Sequence, residues 1–92
     1  TAGQVADDRT ADVAGQTSQI LAKLDALLAE AGSDKSKVLS ATIWMSDISA
    51  FNEMNGVWDA WVDTDNPPVR ACVESKLALP EFKVEIGIIA AK

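Results

Sequence analysis

The sequence predicts an α+β domain, a two-layer sandwich in which two helices lie on one face of a single sheet. Three observations carry this. Apolar residues recur at helical spacing in two separate stretches, Ile20, Leu24, Leu27 and Ala31, then Phe51, Met54, Trp58 and Trp61. Three other stretches, starting at Val38, Val69 and Val84, alternate with the period of two that marks a strand. With a first strand ending near Val5, the order reads β-α-β-α-β-β. Two helices cannot cover both faces of such a sheet, so they are expected to share one.

The opening residues 1–5 read as the end of a strand, with Gly3 allowing close backbone approach. Asp7, Asp8, Arg9 and Thr10 form a polar turn. Asp12 is placed to cap a helix over 12–31, and Gly32 is the residue expected just beyond its end. Residues 33–37 are a polar link with room for one helical turn. In the next strand, Leu39, Ala41, Ile43 and Met45 are expected on one face, with Ser40, Thr42 and Trp44 on the other. Ser49 can cap the second helix. Gly56 inside it costs up to about 1 kcal/mol relative to Ala, which suggests a place of close packing. Residues 63–66 end that helix, and Pro67 with Pro68 forces an extended entry into the next strand.

The 92 residues suit one domain with a single modest core. No apolar run approaches the roughly 18 residues of a membrane helix, so no membrane partner is expected. A net charge of −6 argues against nucleic acid and anionic lipid. The chain has no histidine, which excludes His-based triads and histidine metal sites. One cysteine cannot form an internal disulfide, and a reducing, cytoplasmic setting fits that.

Residues 66–91 carry the chemistry. If the last two strands form an antiparallel hairpin centred near Ala78 and Leu79, Cys72 faces Glu85 on one face, with Arg70 two residues along. Arg70 can act as a fork for a carboxylate, or as an ion-pair partner between subunits, with Glu85 among the choices. Glu85 can position or deprotonate a water, or be a solvated strand carboxylate. Cys72 lacks an evident base, so packing or backbone contact with a ligand suits it better than nucleophilic attack. Asn55, on the second helix, most simply caps or brackets a loop. Asp7, Asp8 and Asp12 fit turns and caps better than a metal site. The face of Arg70, Cys72 and Glu85 is too apolar to stand in water and too polar for a sealed core. A symmetric oligomer with clefts at its joints would reconcile the two.

Taken together, the segments AGQV, QTSQILAKLDALLAEAGSDKSKV, ATIWMSDISAFNEMN, PPVRACVE and KVEIGIIA resemble the YjgF/RidA family of reactive intermediate deaminases across nearly the whole chain. NEMNGVWDAWV and FKVEIGIIAA are most similar to the YoaB-like branch. The resemblance implies a chorismate-mutase-like fold, preceded by one or two further strands, and a homotrimer whose sheets form a central barrel. It implies hydrolysis of 2-imino or enamino acids to 2-keto acids and ammonia in clefts between subunits, with no metal or cofactor. It places the carboxylate-binding arginine on Arg70 and the water-positioning glutamate on Glu85. Substrate contacts fall on Cys72, Gly3 and Asn55. Ala2 stands where the family has a serine, Gly87 where it has a second glutamate, and the deaminases' tyrosine has no counterpart here.

Three other functions compete. A non-catalytic trimer of the same family would bind a small carboxylate through Arg70 alone. Chorismate mutase chemistry needs a more cationic pocket than one arginine supplies. A ribonuclease is disfavoured by the negative charge and the absence of histidine.

Overall fold

A computed structural model describes residues 3–92. Helix α1 (Val13–Glu30) is followed by a 3-10 turn (Lys35–Lys37) and strand β1 (Val38–Met45). A second 3-10 turn (Ile48–Ala50) leads into α2 (Phe51–Trp61), then β2 (Val69–Glu74) and β3 (Val84–Ala90). Thr1 and Ala2 lie outside the described residues, so the expected first strand is seen only in part. Gln4 exchanges two backbone hydrogen bonds with Ile86 at 2.8 and 3.0 Å, as a single antiparallel bridge on the edge of β3.

Helix α1 starts and stops where its sequence signals lie. The Asp12 carboxylate accepts from the Gly15 N–H at 2.7 Å, satisfying one of the open donors of the first turn. At the other end Gly32 has φ +73°, the left-handed conformation that favours glycine. It lets Ser33 N–H reach Leu28 and Gly32 N–H reach Ala29, the paired bonds of a Schellman cap. The inward stripe of α1 buries Ile20 and Leu24 completely, and Leu21 and Leu28 almost so. Each such side chain contributes about 1.5–3 kcal/mol by leaving water. The stripe packs against α2 and β3, around Ile43, Met45, Met54, Ile86 and Ile88.

The sheet order is β2-β1-β3, with β1 parallel to β2 and antiparallel to β3. The expected β2–β3 hairpin is therefore wrong: β1 sits between the two. Tight hairpins close with roughly two to five residues, and the 75–83 connection is longer than that. It carries the chain past β1, whose β-branched inner residues take the centre. The parallel β1–β2 pair is in turn joined by α2, the crossover that parallel strands require.

A bulge corrects the face assignment of β1. Val38 pairs with Ala90 and Ser40 with Ile89, leaving Leu39 as the extra residue. Val38 is consequently buried, and Leu39 is 59% exposed instead of facing the core. Two smaller expectations also change. Asp47, not Ser49, caps the turn before α2, accepting from the Ser49 N–H at 2.9 Å. Helix α2 ends at Trp61, before residues 63–66. Gly56 lies on the exposed side of α2, and a Cβ there would meet nothing within 4 Å. It serves no close approach among the described residues.

Candidate functional site

The register separates the residues that the hairpin would have joined. Across the sheet, Val73, Trp44 and Glu85 form one row, and Cys72, Ile43 and Ile86 form the next. Neighbours in a row share a face, and successive rows alternate. Arg70 and Cys72 thus face the helices, while Glu85 faces away from them, with β1 between. Within one chain Arg70 and Glu85 are not a pair, which excludes an internal ion pair between them. It also corrects the composition of the open face. That face carries Val69, Ala71 and Val73 from β2, Thr42 and Trp44 from β1, and Glu85, Gly87 and Ile89 from β3.

Two clusters result. The first is built on α2 and β2. Arg70 Nη1 donates to Asn55 Oδ1 at 2.6 Å. Its guanidinium carbon lies 5.5 Å from the ring centroids of both Phe51 and Trp58. Phe51, Asn55 and Trp58 are spaced four and three residues apart on α2, so one side of the helix presents all three. Asn55 Nδ2 donates in turn to Asp59 Oδ2 at 3.2 Å. Cys72 is half-buried next to this cluster. Burial pushes its thiol pKa up and the Arg70 charge opposes that, so the thiol stays protonated at neutral pH.

The second cluster lies on the far side of β1, at Gly3 and Glu85. A Cβ on Gly3 would fall 2.1 Å from Glu85 Oε2 and 2.9 Å from its Cδ. The bare glycine backbone therefore leaves the space that this carboxylate fills, a positional use that fits the close approach expected there. Of the five residues singled out from the sequence, Arg70, Asn55 and Cys72 meet in one place and Gly3 and Glu85 in another. The parts played by Phe51 and Trp58 were missed. Their apolar periodicity reads as core, which it is, Trp58 being buried and Phe51 packed against the core, and only the placement of Arg70 over both rings shows the second use.

A concavity of about 660 Å³ lies elsewhere, bordered by Ser46, Glu74, Lys76, Leu79 and Phe82. It includes neither cluster, and its carboxylate is already engaged: Glu74 Oε2 accepts from the Ile48 N–H at 2.9 Å. The acidic N-terminal residues are structural. Asp8 accepts from Thr10, Asp12 caps α1, and Asp7 pairs with Lys23 at 2.7 Å. Among the described residues no cluster of three or more metal-ligating side chains occurs.

A two-helix α+β domain with these two clusters has clear relatives. The family model described as Endoribonuclease L-PSP matches residues 1–92. A RutC family protein of Haemophilus ducreyi is 46% identical over 90 residues, covering 98% of this chain and 77% of that protein. The RutC family protein YoaB of Escherichia coli K12 is 46% identical over 87 residues, covering 95% and 76%. The crystal structure of NMB1025, a YjgF family member from Neisseria meningitidis, superposes with a TM-score of 0.96 at 50% identity, covering 99% and 76%. The chain belongs to the YjgF/RutC family, and the resemblance to its YoaB-like members extends over most of the sequence.

Proposed function

We propose that this protein hydrolyses reactive 2-imino and enamino acids to 2-keto acids and ammonia, as a homotrimer with clefts between subunits. The observation that carries this reading is the state of Arg70. Its guanidinium rests on two aromatic rings and one neutral amide, and among the described residues it forms no ion pair. A half-buried cation without a counter-ion is suited to receive one, and a planar fork matches a carboxylate.

In this reading Arg70 holds the substrate carboxylate from one copy, and Glu85 of a neighbouring copy places a water against the imine carbon. The division of the two groups between opposite sides of β1 supports a site completed by a second chain. So does the helix-free face, where Val69, Ile89 and Val73 are 73%, 64% and 44% exposed. A patch of that kind calls for a partner surface. The chemistry asks little more. An imine is already electrophilic, and the site must hold the carboxylate, place the water and move one proton. Water adds to the imine carbon, a proton passes to the nitrogen, and the carbinolamine expels ammonia. Glu85 is the group able to carry that proton.

A non-catalytic carboxylate-binding trimer is the second reading, favoured by Gly87, which leaves the open face of β3 with one carboxylate. The ribonuclease in the family model's description finds little support in a chain of net charge −6 without histidine. The separating experiment generates an imino acid in situ with an amino-acid oxidase and follows ammonia and 2-keto acid release. Acceleration over the buffer rate is expected. No acceleration, with pyruvate binding retained, leaves the binding trimer as the function.

A further inference from the structure

The uncompensated charge of Arg70 is kept that way by its surroundings. Four N–H groups of a guanidinium remain after the one given to Asn55, and they meet no acceptor among the described residues. Glu74, the carboxylate on the same face of β2, is turned to the Ile48 N–H instead. The acceptor that does reach Arg70 is an amide, which binds an N–H without cancelling its charge. The amide's direction is set one helical turn on: Asn55 Nδ2 faces Asp59 Oδ2, which leaves Oδ1 for Arg70. The reverse orientation would oppose donor to donor and acceptor to carboxylate.

We propose that Asn55 is a positioning residue whose neutrality keeps Arg70 open to a ligand carboxylate, with Phe51 and Trp58 fixing the guanidinium against α2. The inference rests on the reading of Arg70 as a carboxylate fork. It makes Asn55 act through Arg70 instead of contacting substrate itself. An aspartate has the same shape as Asn55 but would form an ion pair, occupy the fork and lower its charge. Phe51 and Trp58 hold a cation by their ring faces, an attraction that leaves the N–H edge outward. The same sequence spacing that makes a core stripe thus also makes a seat for one arginine.

The test uses pyruvate as probe, titrated calorimetrically into the full chain, with melting temperature measured beside it. Asn55→Asp is expected to bind pyruvate at least about tenfold more weakly, while its melting temperature stays near the parent value, because the new ion pair with Arg70 is offset by repulsion from Asp59 one turn on. Asn55→Ala should lose less affinity, because the charge survives and only its placement suffers. Asn52→Asp adds the same charge on the exposed side of α2 and should bind like the parent. Phe51→Leu keeps an apolar side chain without the ring face and should weaken binding a few-fold. Asn55→Asp binding as tightly as the parent overturns the inference, and so does Asn52→Asp losing as much affinity as Asn55→Asp. A parent that binds no pyruvate overturns it too. If the parent binds pyruvate, Asn55→Asp does not, and neither hydrolyses imines, the deaminase reading fails while the positioning role stands.

Discussion

The roles proposed for Arg70 and Glu85 predict separate, measurable effects. Arg70→Ala would remove the bidentate charged contact proposed for it and should cost roughly 3 kcal/mol in transition-state binding, about a hundredfold in kcat/KM. Arg70→Lys should recover only part of that, since an ammonium cannot reproduce the fork. Glu85→Gln keeps the shape but cannot carry a proton, so turnover should fall while pyruvate affinity stays near the parent value. Gly3→Ala is expected to act on the same group by a different route. Its new methyl would stand 2.1 Å from Glu85 Oε2, and the carboxylate, the free end of a flexible side chain, would move aside. Turnover should drop with little change in melting temperature; unchanged turnover would separate Glu85 from the chemistry. Cys72→Ser should retain most activity, because burial holds the thiol in its protonated form and it has no histidine to activate it.

At the level of the elements, one device recurs at three turns. Asp8, Asp34 and Asp47 each accept the backbone N–H and the hydroxyl of the residue two further on, Thr10, Ser36 and Ser49. The hydroxyl bonds first, and the N–H bonds second, hold these carboxyls below the usual aspartate pKa. A depressed pKa means the folded state prefers the ionised form. The stabilisation is therefore present above the unfolded value and is lost as pH falls through the folded one. Melting temperature should decline below about pH 4, and Ser36→Ala with Ser49→Ala should flatten that decline. Gly56→Ala is a second element-scale test. The site is helical, exposed and empty around the missing Cβ, so the change should stabilise by up to about 1 kcal/mol and raise the melting temperature. The helices were legible because caps and periodicity are local: Asp12, Gly32 and the spacing of Ile20 and Leu24 suffice. Strand partners were not. Alternation tells which residues share a face of one strand, but not which strand lies beside it. Nothing local in 75–83 reveals that β1 comes between β2 and β3, or that Leu39 bulges. Gln16 shows the same limit. It is fully buried, its Nε2 donating to Ala11 and Glu81 carbonyls and its Oε1 accepting from the Lys83 N–H. It thereby ties α1 to the approach of β3, through partners that lie distant in sequence.

For the whole molecule, the same register that breaks the hairpin gives the assembly its clearest test. With Arg70 on the helix side of one edge strand and Glu85 on the open side beyond β1, a single chain would carry two halves of the proposed site. A cyclic trimer that joins the first half of each copy to the second half of the next has one complete site at every interface. Arg70→Ala and Glu85→Gln would each be strongly impaired alone. Denatured together in equal amounts and refolded, they would form mixed trimers. An interface is complete when the copy giving Arg70 is the Glu85→Gln chain and the copy giving Glu85 is the Arg70→Ala chain. Random mixing makes that about one interface in four, so roughly a quarter of the parent activity should return. If each site belonged to one chain, every site would keep one defect and nothing would return. Light scattering on the mixture fixes the oligomer in the same experiment. A stable monomer at micromolar concentration would remove the trimer, and with it the explanation for an apolar helix-free face that bears Val69, Val73 and Ile89.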